Sequence, residues 1–139
     1  MNAVVKTGID NAAINYDAKS RMHYEFSIDI DAGKPTNQKQ SGRCWMFAAL
    51  NTMRLEIMRK YNIENFELSQ SYPLFYDKLE KSNYFLENIL DTLDEPTDGR
   101  LIAWLVKDPL GDGGQWDMFK NLVEKYGVVP QYEMPESYH

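Results

Sequence analysis

The stretch Asn37-Gln38-Lys39-Gln40-Ser41-Gly42-Arg43-Cys44-Trp45-Met46-Phe47-Ala48 joins a polar, glycine-bearing loop to the start of a helix, with the chain's single cysteine at the junction. After Gly42, the residues Cys44, Phe47, Ala48, Leu50, Met53, Leu55, Ile57 and Met58 recur at helical spacing, so much of the set shares one side of a helix running to about Tyr61. Cys44 falls in its first turn, where unpaired N–H groups and the helix dipole offer positive partial charge. That environment favours the thiolate, the form in which a cysteine acts as a nucleophile. Acyl transfer also needs hydrogen-bond donors aimed at the developing oxyanion, and a side-chain amide together with the nucleophile's own N–H supplies them. Gln38, six residues upstream of Cys44, is the candidate amide. The competing reading of Cys44 is a small buried hydrophobe.

Upstream, Gly33, Pro35 and the polar run to Gly42 predict an extended loop. Before it the periodicity is weak, with apolar pairs at Val4-Val5 and Ala12-Ala13, and the alternation from Tyr24 to Ile30 predicts a short strand. Downstream, a second helix is expected from Ser69, a good N-cap, through Leu74, Phe75, Leu79, Phe85, Leu86 and Ile89 to about Leu93, with Pro73 in its tolerant first turn. A turn over Asp94 to Gly99 precedes a short helix from Arg100 to Lys107 with Asp98 as its cap. Gly111, Gly113 and Gly114 form a glycine-rich turn. The last helix, Gln115 to Tyr126, puts Trp116, Phe119, Leu122 and Val123 on one face and stops at Gly127, a left-handed C-cap.

With 139 residues, 43% of them hydrophobic, the chain has enough apolar side chains for one globular domain. The 15 basic residues are scattered among 21 acidic ones, which gives nucleic-acid binding no support. No apolar run approaches the roughly 20 residues that cross a bilayer, and no signal-peptide core follows Met1, so an intracellular, membrane-free protein is expected. One cysteine and two distant histidines, His23 and His139, give neither an internal disulfide nor zinc-ligand spacing. No metal or organic cofactor is implied, because thiol acyl transfer needs neither.

The Asn37 to Ala48 segment resembles the papain-type signature, in which Gln, five residues, then Cys-Trp-x-Phe opens the central helix. Within that superfamily it is most similar to the bleomycin hydrolase and aminopeptidase C family, with its Gln-Lys-x-Ser-Gly-Arg-Cys-Trp. Ser41 stands where secreted papain-type enzymes carry a disulfide-bonded cysteine, which fits a reducing, cytoplasmic compartment. Leu68-Ser69-Gln70, the run from Phe75 to Leu86, Gly113-Gly114 and the helix ending Glu-Lys-Tyr-Gly-Val-Val-Pro extend the resemblance over about Ile30 to Met134.

The resemblance implies an α+β papain-like fold of which this chain is the mostly α, helical lobe. Residues 1–32 are then a lead-in and residues 33–139 the lobe itself, with the sheet-rich second lobe absent. It implies a cysteine aminopeptidase in which Cys44 forms the acyl-enzyme and Gln38 holds the oxyanion. The backbone at Gly113 and Gly114, with Trp45, would line the substrate cleft. It further implies peptide substrates, a homohexamer, and a histidine base and orienting asparagine on downstream sequence, so that this segment alone is not competent. The alternatives are a papain-like endopeptidase and a non-catalytic helical binding module. Trp45 is expected first as a core anchor whose indole N–H finds one partner, Trp104 and Trp116 as packing residues. Arg43 is expected in an exposed ion pair, and the acidic residues from Glu80 to Asp98 as a solvated face.

Overall fold

A computed structural model describes residues 2–22 and 25–137. It contains α1 (Asn2–Ala13), α2 (Tyr16–Ser20), α3 (Cys44–Tyr61), α4 (Ser71–Asp91), α5 (Arg100–Leu105) and α6 (Trp116–Tyr126). The chain divides into two units, Met1–Asp31 and Ala32–His139. His23, His139 and the Tyr24 end of the predicted strand lie outside the described residues.

The first unit departs most from expectation. Two helices form where weak periodicity predicts none, and they do so by local bonds: the Asn15 side chain accepts from the Ala18 N–H at 3.0 Å, capping α2. Gly8, at φ 79° and ψ 162°, interrupts α1. The expected strand is absent over residues 25–30. Phe26, Ile28 and Ile30 do alternate, but all three are exposed, and a strand needs a neighbour to pair with that the described residues do not supply.

In the second unit, α3 runs over the expected residues and ends at Asn62, whose left-handed conformation lets its N–H reach Met58. Its buried side overlaps the one predicted at Phe47, Leu50, Met53 and Ile57 but not at Cys44 and Ala48. Met46, Phe47, Ala49, Leu50 and Arg54 face inward, whereas Cys44 and Ala48 are exposed. Met46, Ala49 and Leu50 join Leu68 and Phe119 in the core, with Met53, Ile57, Leu74 and Val123 packed around them. Buried Arg54 donates to the carbonyls of Ala32 and Lys34 at 2.6 and 2.7 Å, and Asn51 donates to Thr36 Oγ1 at 2.8 Å. Two polar side chains of α3 therefore hold the loop that leads back to it.

α4 opens two residues later than predicted, with Gln70 rather than Ser69 at its N-cap position, although Ser69 Oγ still accepts from the Tyr72 N–H at 3.0 Å. Its apolar set is less buried than its sequence suggests: Phe75, Leu79 and Leu86 are exposed, while Pro73 and Asp77 are buried. α5 starts after Gly99 rather than being capped by Asp98, and only Leu105 of it is buried. α6 buries Phe119 and Leu122 and ends at Gly127, whose N–H donates to Val123 at 2.8 Å; its φ is positive as expected, but at φ 77° and ψ −163° it is extended rather than left-handed helical. Trp104 and Trp116 are each 65% exposed, which corrects their expected packing role.

The chain after α6 is a strap rather than a tail. An antiparallel bridge joins Leu68 to Pro130, with Ser69 N–H donating to Val129 and Gln131 N–H to Glu67, both at 2.9 Å. Ser69 Oγ then donates to the Met134 carbonyl at 2.5 Å. The strap is thereby fixed to the start of α4.

Candidate active site

Cys44 is the first residue of α3, and its free thiol is exposed. At the first helical position its N–H has no intrahelical acceptor. Two loops flank it. Before it, Ser41 N–H and Ser41 Oγ both donate to the Gln38 carbonyl, at 3.2 and 2.7 Å, and the Gln38 side-chain amide donates to the Ser41 carbonyl at 2.8 Å. Gln38 is half-buried, its side chain held by the turn it belongs to.

Arg43, expected at the surface, is 7% exposed. It does find an acidic partner: its two terminal nitrogens donate to both oxygens of Glu136 at 2.8 and 2.9 Å, and its Nε donates to Ser41 Oγ at 2.8 Å. The guanidinium holds the Glu136 carboxyl below its usual range.

On the other side lies the glycine-rich turn. Trp45 is half-buried, its indole N–H donates to the Asp112 carbonyl at 2.8 Å, and its ring meets Phe119 edge-on with centroids 6.5 Å apart. The expected anchor with one N–H partner is what forms. Gly114 lies against that indole so closely that a Cβ would enter the ring, whereas a Cβ at Gly113 would meet nothing within 4 Å. Gly42 is also tight, its Cβ position lying 2.9 Å from Asp112 Cβ, and its N–H donates to the Asp112 carboxylate at 3.3 Å.

Two lysines of α4 close this turn. Lys78 donates to the Leu110 carbonyl and to Asp112 Oδ1, the latter at 2.7 Å. Lys81 donates to the carbonyls of Gly111 and Gly113, at 2.7 and 2.8 Å, and to buried Asp77 at 2.8 Å. The Lys78 ammonium and, next, the Gly42 N–H hold the Asp112 carboxyl below its usual range. Glu80, expected in a solvated face, instead meets Lys125 at 2.5 Å and the Tyr126 hydroxyl, and both lower its carboxyl.

Sequence alone does not single out Lys78, Lys81, Asp112 or Glu136. Only Asp77–Lys81 carries a local signal, the i,i+4 spacing of an ion pair. Among the described residues no group of three or more His, Cys, Asp or Glu could hold a metal ion, and none of those residues is a histidine.

A family model for the Peptidase C1-like family matches residues 1–139. The chain belongs to that family. An aminopeptidase C from Listeria monocytogenes is 51% identical over 136 residues, which is 98% of this chain and 31% of that protein. A bleomycin hydrolase from Gallus gallus is 60% identical over 109 residues, 76% of this chain and 24% of its own length. A crystal structure of PepW from Lactobacillus rhamnosis HN001 superposes with a TM-score of 0.82 at 57% identity, covering 99% of this chain and 31% of that one. The chain thus spans about a third of the length of the Peptidase C1-like relatives it matches, and its helices form the helical part of a papain-like fold, as expected. No helix among the described residues is long and apolar enough to cross a membrane.

Proposed function

We propose that this chain is the nucleophile-bearing helical lobe of a cysteine aminopeptidase, residues 33–139 forming the lobe and residues 1–32 leading into it. Cys44 attacks the scissile carbonyl, an acyl-enzyme forms, the amine departs, and water releases the acyl group. The Cys44 N–H and the second N–H of the Gln38 amide receive the oxyanion; losing one such donor costs on the order of 100- to 1000-fold in kcat. The backbone at Gly113 and Gly114 pairs with an extended peptide, and Trp45 fixes that backbone through Asp112. The observation that carries the proposal is an exposed thiol at the first position of α3, set between two loops closed by hydrogen bonds.

The names of the relatives support aminopeptidase action on peptides. A cytoplasmic homohexamer belongs to the same proposal, resting on the family resemblance and on Ser41, whose hydroxyl ties the turn where a disulfide would in secreted relatives. The histidine base and its asparagine belong to sequence outside this segment, so the 139 residues alone turn over little or no substrate.

The test is hydrolysis of unblocked and N-terminally blocked peptides by the complete protein. Cys44→Ala is expected to cut release of N-terminal residues by about 10⁴-fold or more. Cleavage of blocked peptides would point to an endopeptidase, and retained function in Cys44→Ala to a binding module. Robust turnover by the isolated 139 residues, lost in Cys44→Ala, would overturn the assignment of the base.

A further inference from the structure

Arg43 is fixed at both ends. Its backbone carbonyl accepts from the N–H groups of Met46 and Phe47 at 3.0 Å each, as the N-cap of α3, and its guanidinium is buried between Ser41 and Glu136. Ser41 Oγ, having accepted from Arg43, has one hydrogen to donate, and it goes to the Gln38 carbonyl. The Gln38 amide returns one of its two hydrogens to the Ser41 carbonyl. Hydrogen bonds therefore run from the Glu136 carboxylate through Arg43 to Ser41, whose hydroxyl holds the Gln38 backbone carbonyl and whose own carbonyl holds the Gln38 side chain. Its far end is secured by Ser71, which donates to Glu136 Oε1 at 3.1 Å, and by the strap on α4.

We infer that Arg43 and Glu136 are positioning residues for the oxyanion donor, holding the Gln38–Ser41 turn fixed against the start of α3. The inference rests on the reading of Gln38 as that donor. A buried guanidinium cannot drop its carboxylate without leaving an unpaired charge, so the tie is stiff. A lysine would not replace it, because an ammonium lacks the planar fork that engages Ser41 and both oxygens of Glu136 at once. The sequence places this tie 93 residues from Arg43, in the irregular chain that follows the turn at residues 131–133.

The experiment is a double-mutant cycle in the complete protein, with steady-state hydrolysis of an unblocked aminoacyl anilide. Glu136→Gln, which keeps an acceptor for Ser71, is expected to lower kcat by of order 10- to 100-fold with KM within about twofold, as a displaced catalytic group does. In a Gln38→Ala background the same substitution should change kcat by less than about twofold, because the group it positions is gone. Alkylation of Cys44 by iodoacetamide, which builds no oxyanion, should keep its rate in Glu136→Gln. Additive losses in the cycle, or an unchanged kcat with a lowered Tm, would overturn the inference and leave a purely structural ion pair. Undiminished kcat in Gln38→Ala would overturn the oxyanion reading and this inference with it. Should Glu136→Gln fail to fold, Arg43→Lys carries the same cycle: coupled losses support the positioning role, and additive losses overturn it.

Discussion

The two loops beside Cys44 are held by opposite means. The Gln38–Ser41 turn is closed by its own backbone, by one hydroxyl and by its own amide, and needs only Arg43 from the adjacent helix start to fasten it. The Gly111–Gly114 turn offers no such internal bonds. The carbonyls of Gly111 and Gly113 accept from Lys81, 30 and 32 positions away, that of Asp112 accepts from the Trp45 indole, 67 positions away, and Lys78 holds the Asp112 side chain and the preceding Leu110 carbonyl. One loop closes on itself in contiguous sequence and is fastened from outside through Arg43 and Glu136, and the other has its carbonyls held from α4 and by Trp45.

The largest expected effect comes from removing the borrowed support. Lys81→Met would leave Asp77, 2% exposed, as an unpaired buried carboxylate and release two carbonyls of the turn. A loss of about 3–5 kcal/mol in denaturant unfolding is expected. If Asp77→Asn restores most of it in the double variant, the buried charge dominates; if not, the carbonyl contacts do. A loss under about 1 kcal/mol would mean the turn is held by Trp45 and Lys78 alone.

Next is Gly114→Ala, whose Cβ would enter the Trp45 indole. The ring cannot move without giving up its bond to Asp112 and its edge contact with Phe119, so overpacking of about 1–3 kcal/mol is expected. Pairing it with Trp45→Phe, which makes room, should recover part of the loss and would show that the clash is with the indole.

The same contrast explains what the sequence could convey. The extents of α3 and α6 follow from apolar spacing and, for α6, from the glycine that ends it, and the proposal for Cys44 with Gln38 rests on a motif of contiguous residues. Arg43 reads as a surface charge because its partner, Glu136, arrives on a strap that no periodicity marks. Trp104 and Trp116 read as packing residues because hydrophobicity says that a side chain prefers cover and says nothing of whether cover is there. α4 fails likewise: Phe75, Leu79 and Leu86 have helical spacing, but the inward positions are taken by Asp77 and Lys81, whose polar work at the turn could not be inferred without its carbonyls. The helices of the first unit rest on an Asn15 cap and local bonds, with no buried stripe to give them a period.

A smaller effect separates the two loops by pH. The folded Glu136 carboxyl, lowered chiefly by its hydrogen bond with Arg43, binds fewer protons than the unfolded one between its folded pKa and the ordinary value near about 4.3. Its contribution is present in full above that ordinary value and is lost as pH falls through the folded pKa. Asp112, lowered by Lys78, has the same sign but a more exposed pair. Urea midpoints measured from pH 6 downward should therefore fall less steeply in Glu136→Gln than in the parent, and Asp112→Asn should flatten the slope by less. Equal flattening would mean that the buried and exposed ties are energetically alike.

The smallest change in stability is expected at Gly113, where the contrast with its neighbour is sharpest. A Cβ there meets nothing within 4 Å, and φ lies outside the range that favours glycine, so Gly113→Ala should alter unfolding free energy by no more than about 0.5 kcal/mol. If the open space beside Gly113 is the place where an extended peptide lies along the backbone, a methyl group fills space the substrate needs. KM should then rise in the complete protein while the unfolding midpoint stays still, separating a glycine kept for substrate from Gly114, kept for Trp45. Unchanged KM would move the peptide off this backbone and leave Gly114 as the only one of the pair with a physical reason to be glycine.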